Sequence, residues 1–431
     1  MANHDGGGMG MTREIDSPYA WFRLGICMLI STIGGVGMWS VVVSLPAVQA
    51  DFGIARGAAS VPFTLTMIGF GVGGVLMGRI SDKIGIVIPV AIGGLSLAIG
   101  YAAAAFTHDV WTFGIPYALF AGMLGTGASF APLMADISHW FEKRRGLAVS
   151  LCASGNYLSG AIWPTVVEHL IRDYGWRHTY IGIGLFCAAT MIPLALLLRA
   201  PAPVHKIGIV AAPSGNMGTM GLSPKMLQTL LAVAGLACCV AMSMPQVHIV
   251  AYCGDLGYGV ARGAEMLALM LGCGIISRIA SGFVADRIGG MKTMLIGSVM
   301  QMTALSLYLT MNGLASLYVI SALFGLFQGG LVPSYAIVIR ECFPAKEAGT
   351  RVGVVMMMTL LGMALGGWMS GVIFDATGSY RAAFANGVVW NAANAAIVLF
   401  LLVRRGRFVG RRATLREETG IPNLGHSKLV R

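Results

Sequence analysis

Arg278 is the residue whose type and setting most constrain the chemistry of this chain. It is the single charge in the apolar stretch 266–284 and lies eight residues before Asp286. At ~1.5 Å per residue that places it roughly 12 Å from the loop, near the middle of a ~30 Å hydrocarbon core. A charge at that depth costs at least ~2.5–3.5 kcal/mol on insertion scales, so it faces a cavity or a partner rather than lipid. Its own helix offers no carboxylate nearby. The partner is therefore a bound anion, a carboxylate of another helix, or backbone carbonyls. An arginine stays ionised and grips a carboxylate with two parallel N–H donors, so it holds an anion but cannot exchange a proton. The groups that can titrate sit toward helix ends: Asp136, Glu168, His248, Asp255 and Glu265. His248, in Pro245-Gln246-Val247-His248, is the candidate coupling or gating residue because an imidazole titrates near neutral pH.

The elements that must position Arg278 follow from composition. The chain has 431 residues, of which 56% are hydrophobic and 11% charged, and its mean hydropathy is +0.76. Only helices and closed barrels satisfy the backbone in lipid. The apolar runs here are longer than the ~9–11 residues of a barrel strand. The expected fold class is an all-α polytopic membrane protein, with 60 glycines suited to close helix packing. The eight cysteines show no metal or disulfide spacing, and neither a metal nor another cofactor is expected. No Gly-x4-Gly-Lys-Ser/Thr, His-Glu-x2-His or Gly-x-Ser-x-Gly motif occurs, so the sequence points away from an enzyme.

Twelve spans are expected near 22–47, 57–78, 86–106, 111–134, 146–169, 179–199, 225–250, 264–284, 292–311, 315–340, 352–373 and 383–403. Of the 29 Lys and Arg residues, only Arg56, Arg172, Arg177, Arg262 and Arg381 fall on the side opposite the termini, with Arg278 inside the membrane. The positive-inside rule then places both termini in the cytoplasm, in a cytoplasmic membrane. The net charge of +11 is spread over loop ends and the tail. A nucleic-acid partner is therefore not expected, and membrane lipid is the surrounding partner.

The chain also repeats itself. Gly78-Arg79-Ile80-Ser81-Asp82-Lys83-Ile84-Gly85 follows span 2, and Gly282-Phe283-Val284-Ala285-Asp286-Arg287-Ile288-Gly289 follows span 8. Pro132 in span 4 and Pro333 in span 10 give a weaker echo. This predicts two pseudo-symmetric six-helix bundles, 22–199 and 225–403. They are flanked by an N-terminal cytoplasmic segment 1–21 and a basic cytoplasmic tail 404–431, and joined by a Gly/Pro/Ala/Ser-rich linker 200–224. Gly74 occupies the repeat position of Arg278, so the scaffold itself does not demand a cation there.

The doubled Gly-x3-Asp-basic-x-Gly loop resembles the signature of the major facilitator superfamily. Four further stretches are similar to the monocarboxylate transporters and the oxalate–formate antiporters. They are Trp39-Ser40-Val41-Val42-Val43 with Pro46 and Asp51-Phe52-Gly53, Trp140-Phe141-Glu142-Lys143-Arg144-Arg145-Gly146-Leu147-Ala148, Gly175-Trp176-Arg177, and Phe374-Asp375-Ala376-Thr377-Gly378-Ser379-Tyr380. The resemblance implies the major facilitator fold and alternating access, with Arg278 binding a substrate carboxylate, and the chain is expected to work as a monomer. It also implies a central cavity lined by spans 1, 4, 5, 7, 8, 10 and 11. At suitable depth these spans carry Trp39, Ser129, Asn156, Tyr157, Gln328, Tyr335 and Trp368, each of which could equally pack between helices. Asp82, Arg79, Asp286 and Arg287 would then act as gating residues at helix ends rather than in the site.

Two departures from the family pattern narrow the expectation. Oxalate–formate exchangers carry a lysine in span 11, whereas 352–373 holds no Lys, Arg or His. One cation matches one negative charge, since a second buried charge would lack a partner. Many monocarboxylate transporters place an aspartate one turn before the arginine, and Gly274 stands there instead. The expected function is secondary transport of a small monocarboxylate of the lactate or pyruvate kind. Proton symport, anion exchange and facilitated diffusion all stay open, and the alternatives are an oxalate–formate type exchanger or an exporter of another small solute.

Overall fold

The computed structural model describes residues 15–200 and 221–419. Residues 1–14, 201–220 and 420–431, which hold most of the expected N-terminal segment and linker and the end of the tail, lie outside the described residues. Among those described, nearly every residue is helical and no strand forms. Spans 1 to 4 are Pro18–Phe52, Arg56–Ile84, Val87–Ala105 and Val110–Ser138. The next apolar helix, Gly146–Leu197, has 52 residues. Straight, it would reach about 78 Å, more than twice the hydrocarbon core. It turns at Gly175, whose φ of 77° and ψ of 159° are not helical, and so supplies spans 5 and 6. Spans 7 to 12 are Pro224–Asp255, Val260–Ile288, Gly290–Thr310, Leu314–Cys342, Gly349–Thr377 and Tyr380–Gly406. An even number of crossings leaves Pro18 and Gly406 on one face, the terminal face; the other is the distal face.

Local chemistry sets the ends of these helices. Ser17 accepts from Ala20 N–H with Pro18 in the first turn, and Ser223 accepts from Met226 N–H ahead of Pro224. Asp109 caps span 4 by accepting from the backbone of Trp111 and Thr112, and the bonds from Thr112 hold its carboxyl below the usual value. The final glycines of the repeated loops have a physical reason. Gly85 has φ 83° and ψ 169°, and Gly289 has φ 86° and ψ 156°. Both lie in a region that a Cβ makes costly. The echo of Pro132 and Pro333 is structural too. Span 4 breaks between Thr126 and Ala131, just ahead of Pro132, and span 10 breaks at Gly329 and Gly330, three to four residues ahead of Pro333; neither proline can donate into the ladder.

Small residues bring equivalent helix pairs into contact. A Cβ on Gly73 would lie 1.9 Å from the Met123 carbonyl, and one on Gly325 would lie 2.0 Å from the Met270 carbonyl. Span 2 thus seats on span 4 and span 8 on span 10, as backbone approach through glycine allows. Inside the first bundle, Arg23 donates to both carboxylate oxygens of Asp136 at 2.8 Å and lies over the Trp140 ring. Ser40 bridges the buried hydroxyls of Tyr101 and Tyr117. Inside the second, Tyr335 donates to Asn394, which bonds Ser298.

The halves meet toward the distal face. Thr64 donates to the Ala364 carbonyl, a Cβ on Gly367 would touch Phe63, and one on Gly71 would touch Met357. Closer to the terminal face, Gly78, Gly146, Gly282 and Gly353 have open space where a Cβ would stand. Leu76, Val354 and Phe283 are exposed there. The space between the bundles therefore opens to the terminal face and closes at the distal one.

Arg23 is 1% exposed and the Asp136 side chain 10%, so Arg23→Leu leaves a mostly buried carboxylate without its partner. Thermal unfolding in detergent is expected to register a loss of about 3–5 kcal/mol, with at least half regained in Arg23→Leu/Asp136→Leu.

Candidate functional site

Span 8 carries Arg278 on a face made almost flat by small residues. Ser277 and Gly274 are buried. A Cβ on Gly274 would come within 2.5 Å of Tyr157 Cε1, so the absent side chain makes room for the Tyr157 ring from span 5. That ring lies 4.3 Å beneath the Arg278 guanidinium, an arrangement worth about 0.5–2 kcal/mol that fixes the fork without neutralising it. Span 5 adds one long hydrogen bond, Arg278 Nη1 to the Ala153 carbonyl at 3.4 Å. Arg278 Nε is buried with no acceptor. Among the described residues no carboxylate pairs with Arg278.

Two more donors nearby lack an acceptor. Gln328 of span 10 accepts from Gln246 at 3.0 Å, while its own Nε2 is buried and unpaired. Its neighbours Gly325 and Gly329 pack on Met270, Gly274 and Ser277 of span 8. Trp39 of span 1 packs over Gly160 of span 5, where Leu271 of span 8 also reaches, and its indole Nε1 is likewise buried and unpaired. Buried polar groups are nearly always satisfied. Arg278 Nε, Gln328 Nε2 and Trp39 Nε1 thus lack acceptors among the described residues, and an oxyanion is the complement of such donors.

Other candidates from the sequence are placed differently. Asn156 is half-buried beside Tyr157, and among the described residues its amide takes no hydrogen bond. Ser129 is buried and donates to the Thr126 carbonyl of its own span, which suits packing against Gly34. Tyr335 does not join the cluster: its ring is fully buried and its hydroxyl donates to Asn394 within the second bundle. Trp368 is 42% exposed on the surface of span 11 rather than among the buried donors.

The titratable candidates also separate. Asp136 is held by Arg23, Asp255 by Arg56, and Glu265 by Arg262 and Tyr318. Glu168 is buried with one oxygen unpaired, 3.5 Å from His169, a contact too long and shared with the Thr165 carbonyl to count as a hydrogen bond. His248 is buried and contacts Tyr380 and the Gly367 carbonyl. Asp82, Arg79, Asp286 and Arg287 are exposed at the terminal face. The residues that sequence reasoning missed are Arg56, Asp375 and Gln246. Arg56 carried a signal, being one of few basic residues on the distal side.

A family model described as Major Facilitator Superfamily matches residues 27–314 and 266–427. The chain belongs to the major facilitator superfamily. It is therefore a membrane transporter and not an enzyme. Monocarboxylate transporter 13 of Bos taurus is 26% identical over 328 residues, covering 76% of this chain and 75% of that protein. Monocarboxylate transporter 11 of Homo sapiens is 27% identical over 315 residues, covering 68% and 64%. Among solved structures, the nucleoside transporter NupG superposes with a TM-score of 0.69 at 13% identity, covering 89% of this chain and 99% of that one. A bacterial homologue of the human lysosomal transporter Spinster gives 0.64 at 13%, covering 91% and 96%. The shared feature is the helical major facilitator fold.

In this superfamily member the contact of Gly274 with Tyr157 is testable by size. Gly274→Leu is expected to lower stability by about 1–3 kcal/mol through overpacking. Gly272→Ala, whose Cβ would sit 3.7 Å from Ala161, is expected to leave thermal unfolding unchanged.

Proposed function

We propose that this transporter carries a small monocarboxylate across the cytoplasmic membrane by alternating access. The observation that carries the reading is a half-buried guanidinium, its Nε buried, with no carboxylate among the described residues; it differs in this from the buried arginines. Arg23 and Arg56, the buried arginines among the described residues, each have one, so the counter-charge for Arg278 is the cargo. A single free cation in the core suits a single negative charge. A dicarboxylate would bring a second charge with no partner into a low-dielectric site, which disfavours exchange of the oxalate–formate type. The names of the monocarboxylate transporters among the relatives agree with this cargo.

The orphan donors refine the cargo class. Arg278 Nε and Nη groups take the carboxylate, the Tyr157 ring steadies the fork, and Asn156 adds an amide at the rim. Gln328 Nε2 and Trp39 Nε1 are then supplied by an acceptor on the organic body, as in a 2-hydroxy or 2-oxo acid. Spans 2, 7 and 11 close the distal side.

The terminal face is cytoplasmic in this reading, because it holds nearly all the lysines and arginines. The conformation is then open to the cytoplasm. Two bundles, 22–199 and 225–403, rock about the site as one monomer in the lipid. Asp82 and Asp286, exposed in this state, meet basic partners or helix N-termini when the cytoplasmic side closes, with Arg79 and Arg287 beside them. The driving force is a solute or proton gradient.

Uptake into proteoliposomes tests this. Lactate, pyruvate, propionate, formate and oxalate are offered with and without an inward proton gradient or an internal counter-anion. Arg278→Ala is expected to abolish monocarboxylate uptake. Arg278→Lys, which keeps charge but loses the fork, is expected to weaken it about tenfold or more. Uptake of oxalate above lactate, or full activity of folded Arg278→Ala, contradicts the reading. Gln328→Leu is expected to lower lactate uptake about 3–10-fold relative to propionate, and equal losses for both acids would remove Gln328 from specificity.

A further inference from the structure

The distal closure is built around one arginine from the first bundle. Arg56 is 8% exposed. Its guanidinium donates to both oxygens of Asp255, at 2.7 and 3.2 Å. Nη1 also donates to the Tyr380 hydroxyl at 2.6 Å, and Nε donates to Gln49 at 2.7 Å. The backbone N–H groups of Arg56 and Gly57 donate to the two oxygens of Asp375, at 2.8 and 2.7 Å. The Phe374 ring lies 4.7 Å from the guanidinium. Asp255, Asp375 and Tyr380 all belong to the second bundle, so separating the bundles at this face breaks every one of these bonds except that to Gln49.

His248 stands directly behind this latch. It is fully buried. Its Nε2 is 2.8 Å from the Gly367 carbonyl, which can only accept, so Nε2 carries a hydrogen. Its Nδ1 is 3.2 Å from the Tyr380 hydroxyl. With a neutral ring the polarity closes: Tyr380 donates to Nδ1 and its oxygen accepts from Arg56. A proton on Nδ1 reverses that junction. Nδ1–H and Arg56 Nη1 then both point at the Tyr380 oxygen, the hydroxyl hydrogen loses its acceptor, and two cations flank one phenol. The groups facing the ring from all sides are Arg56, Tyr380, Asp255 and Asp375, with Tyr252 one turn along its own helix. Neither carboxylate offers relief, since Asp255 is engaged by the guanidinium and Asp375 by backbone N–H groups.

We propose that His248, Tyr380 and Arg56 form a proton-sensitive latch that keeps the distal face shut while His248 is neutral. Transient opening exposes the ring to the distal solution. A proton taken up there at Nδ1 blocks reclosure until it is returned to the same side, so acid on the distal side shifts the population toward the open state. The proton is read by the latch and is not itself carried across. The device does not depend on which solute the transporter moves, and its failure would leave the carboxylate reading untouched.

Distance measurement between spin labels tests it without any substrate. Phe106 and Met311 are 74% and 48% exposed and end spans 3 and 9 at the distal face, one in each bundle. Phe106→Cys and Met311→Cys carry the labels in a Cys273→Ser background, the other seven native cysteines being buried. In nanodiscs, double electron–electron resonance is recorded at about pH 7.5 and about pH 5, a range that spans imidazole titration. The expected result is a growth of the long-distance population on acidification, by up to about tenfold per pH unit, the limit for one linked proton. His248→Gln, which keeps a donor and an acceptor but cannot charge, is expected to show no pH response. Should His248→Gln not fold, Tyr380→Phe makes the same comparison, because the reversed junction is then gone. An unchanged distance distribution in the parent protein, or an undiminished pH response in a folded variant, overturns the proposal.

Discussion

The organisation of this molecule depends on one constraint: a charge inside a membrane protein must be answered. Three buried or half-buried arginines meet it in three ways. Arg23 is answered within its own bundle by Asp136 and holds spans 1 and 4 together. Arg56 is answered across the bundles by Asp255 and so belongs to the state in which the distal face is shut. Arg278 is answered by neither. It has a ring beneath it and one long bond to a carbonyl, a setting that steadies a cation and leaves its charge available. The first is permanent structure, the second belongs to the proposed latch, and the third, in the proposed function, is answered by cargo.

Glycine makes the third answer accessible. Gly274 admits the Tyr157 ring, and Gly325 and Gly329 bring span 10 onto span 8 so that Gln328 sits beside the same stretch. A larger residue at any of these places would move a helix, and with it a donor. The site is thus assembled from spans of both bundles by close backbone approach. In the proposed function a change in the angle between the bundles alters it, which links binding to alternating access.

The twelve spans were legible because each is long, apolar and bounded by charge, and the structure moves their ends by only a few residues. The repeated loop was legible as a pattern, and its conformation explains why Gly85 and Gly289 close it. Arg278 was legible because a lone cation in an apolar run has no local explanation. What could not be read were pairings between distant positions. Nothing near Tyr335 indicates that its hydroxyl serves Asn394, and no local pattern joins Arg56 to Asp255, Asp375 and Tyr380. The exposure of Trp368 depends on the rotation of span 11, which a helix with apolar residues all round does not specify. Gly274 read as a missing acid; only the packed structure gives it a positive role, as the space that Tyr157 fills.

The most direct test of the central claim is a structure of the protein with a 2-hydroxy monocarboxylate bound. The account predicts the carboxylate within hydrogen-bond distance of Arg278 Nε and an Nη nitrogen, over the Tyr157 ring, with the 2-oxygen toward Gln328. A ligand bound elsewhere between the bundles, with Arg278 turned to a protein carboxylate, would contradict it.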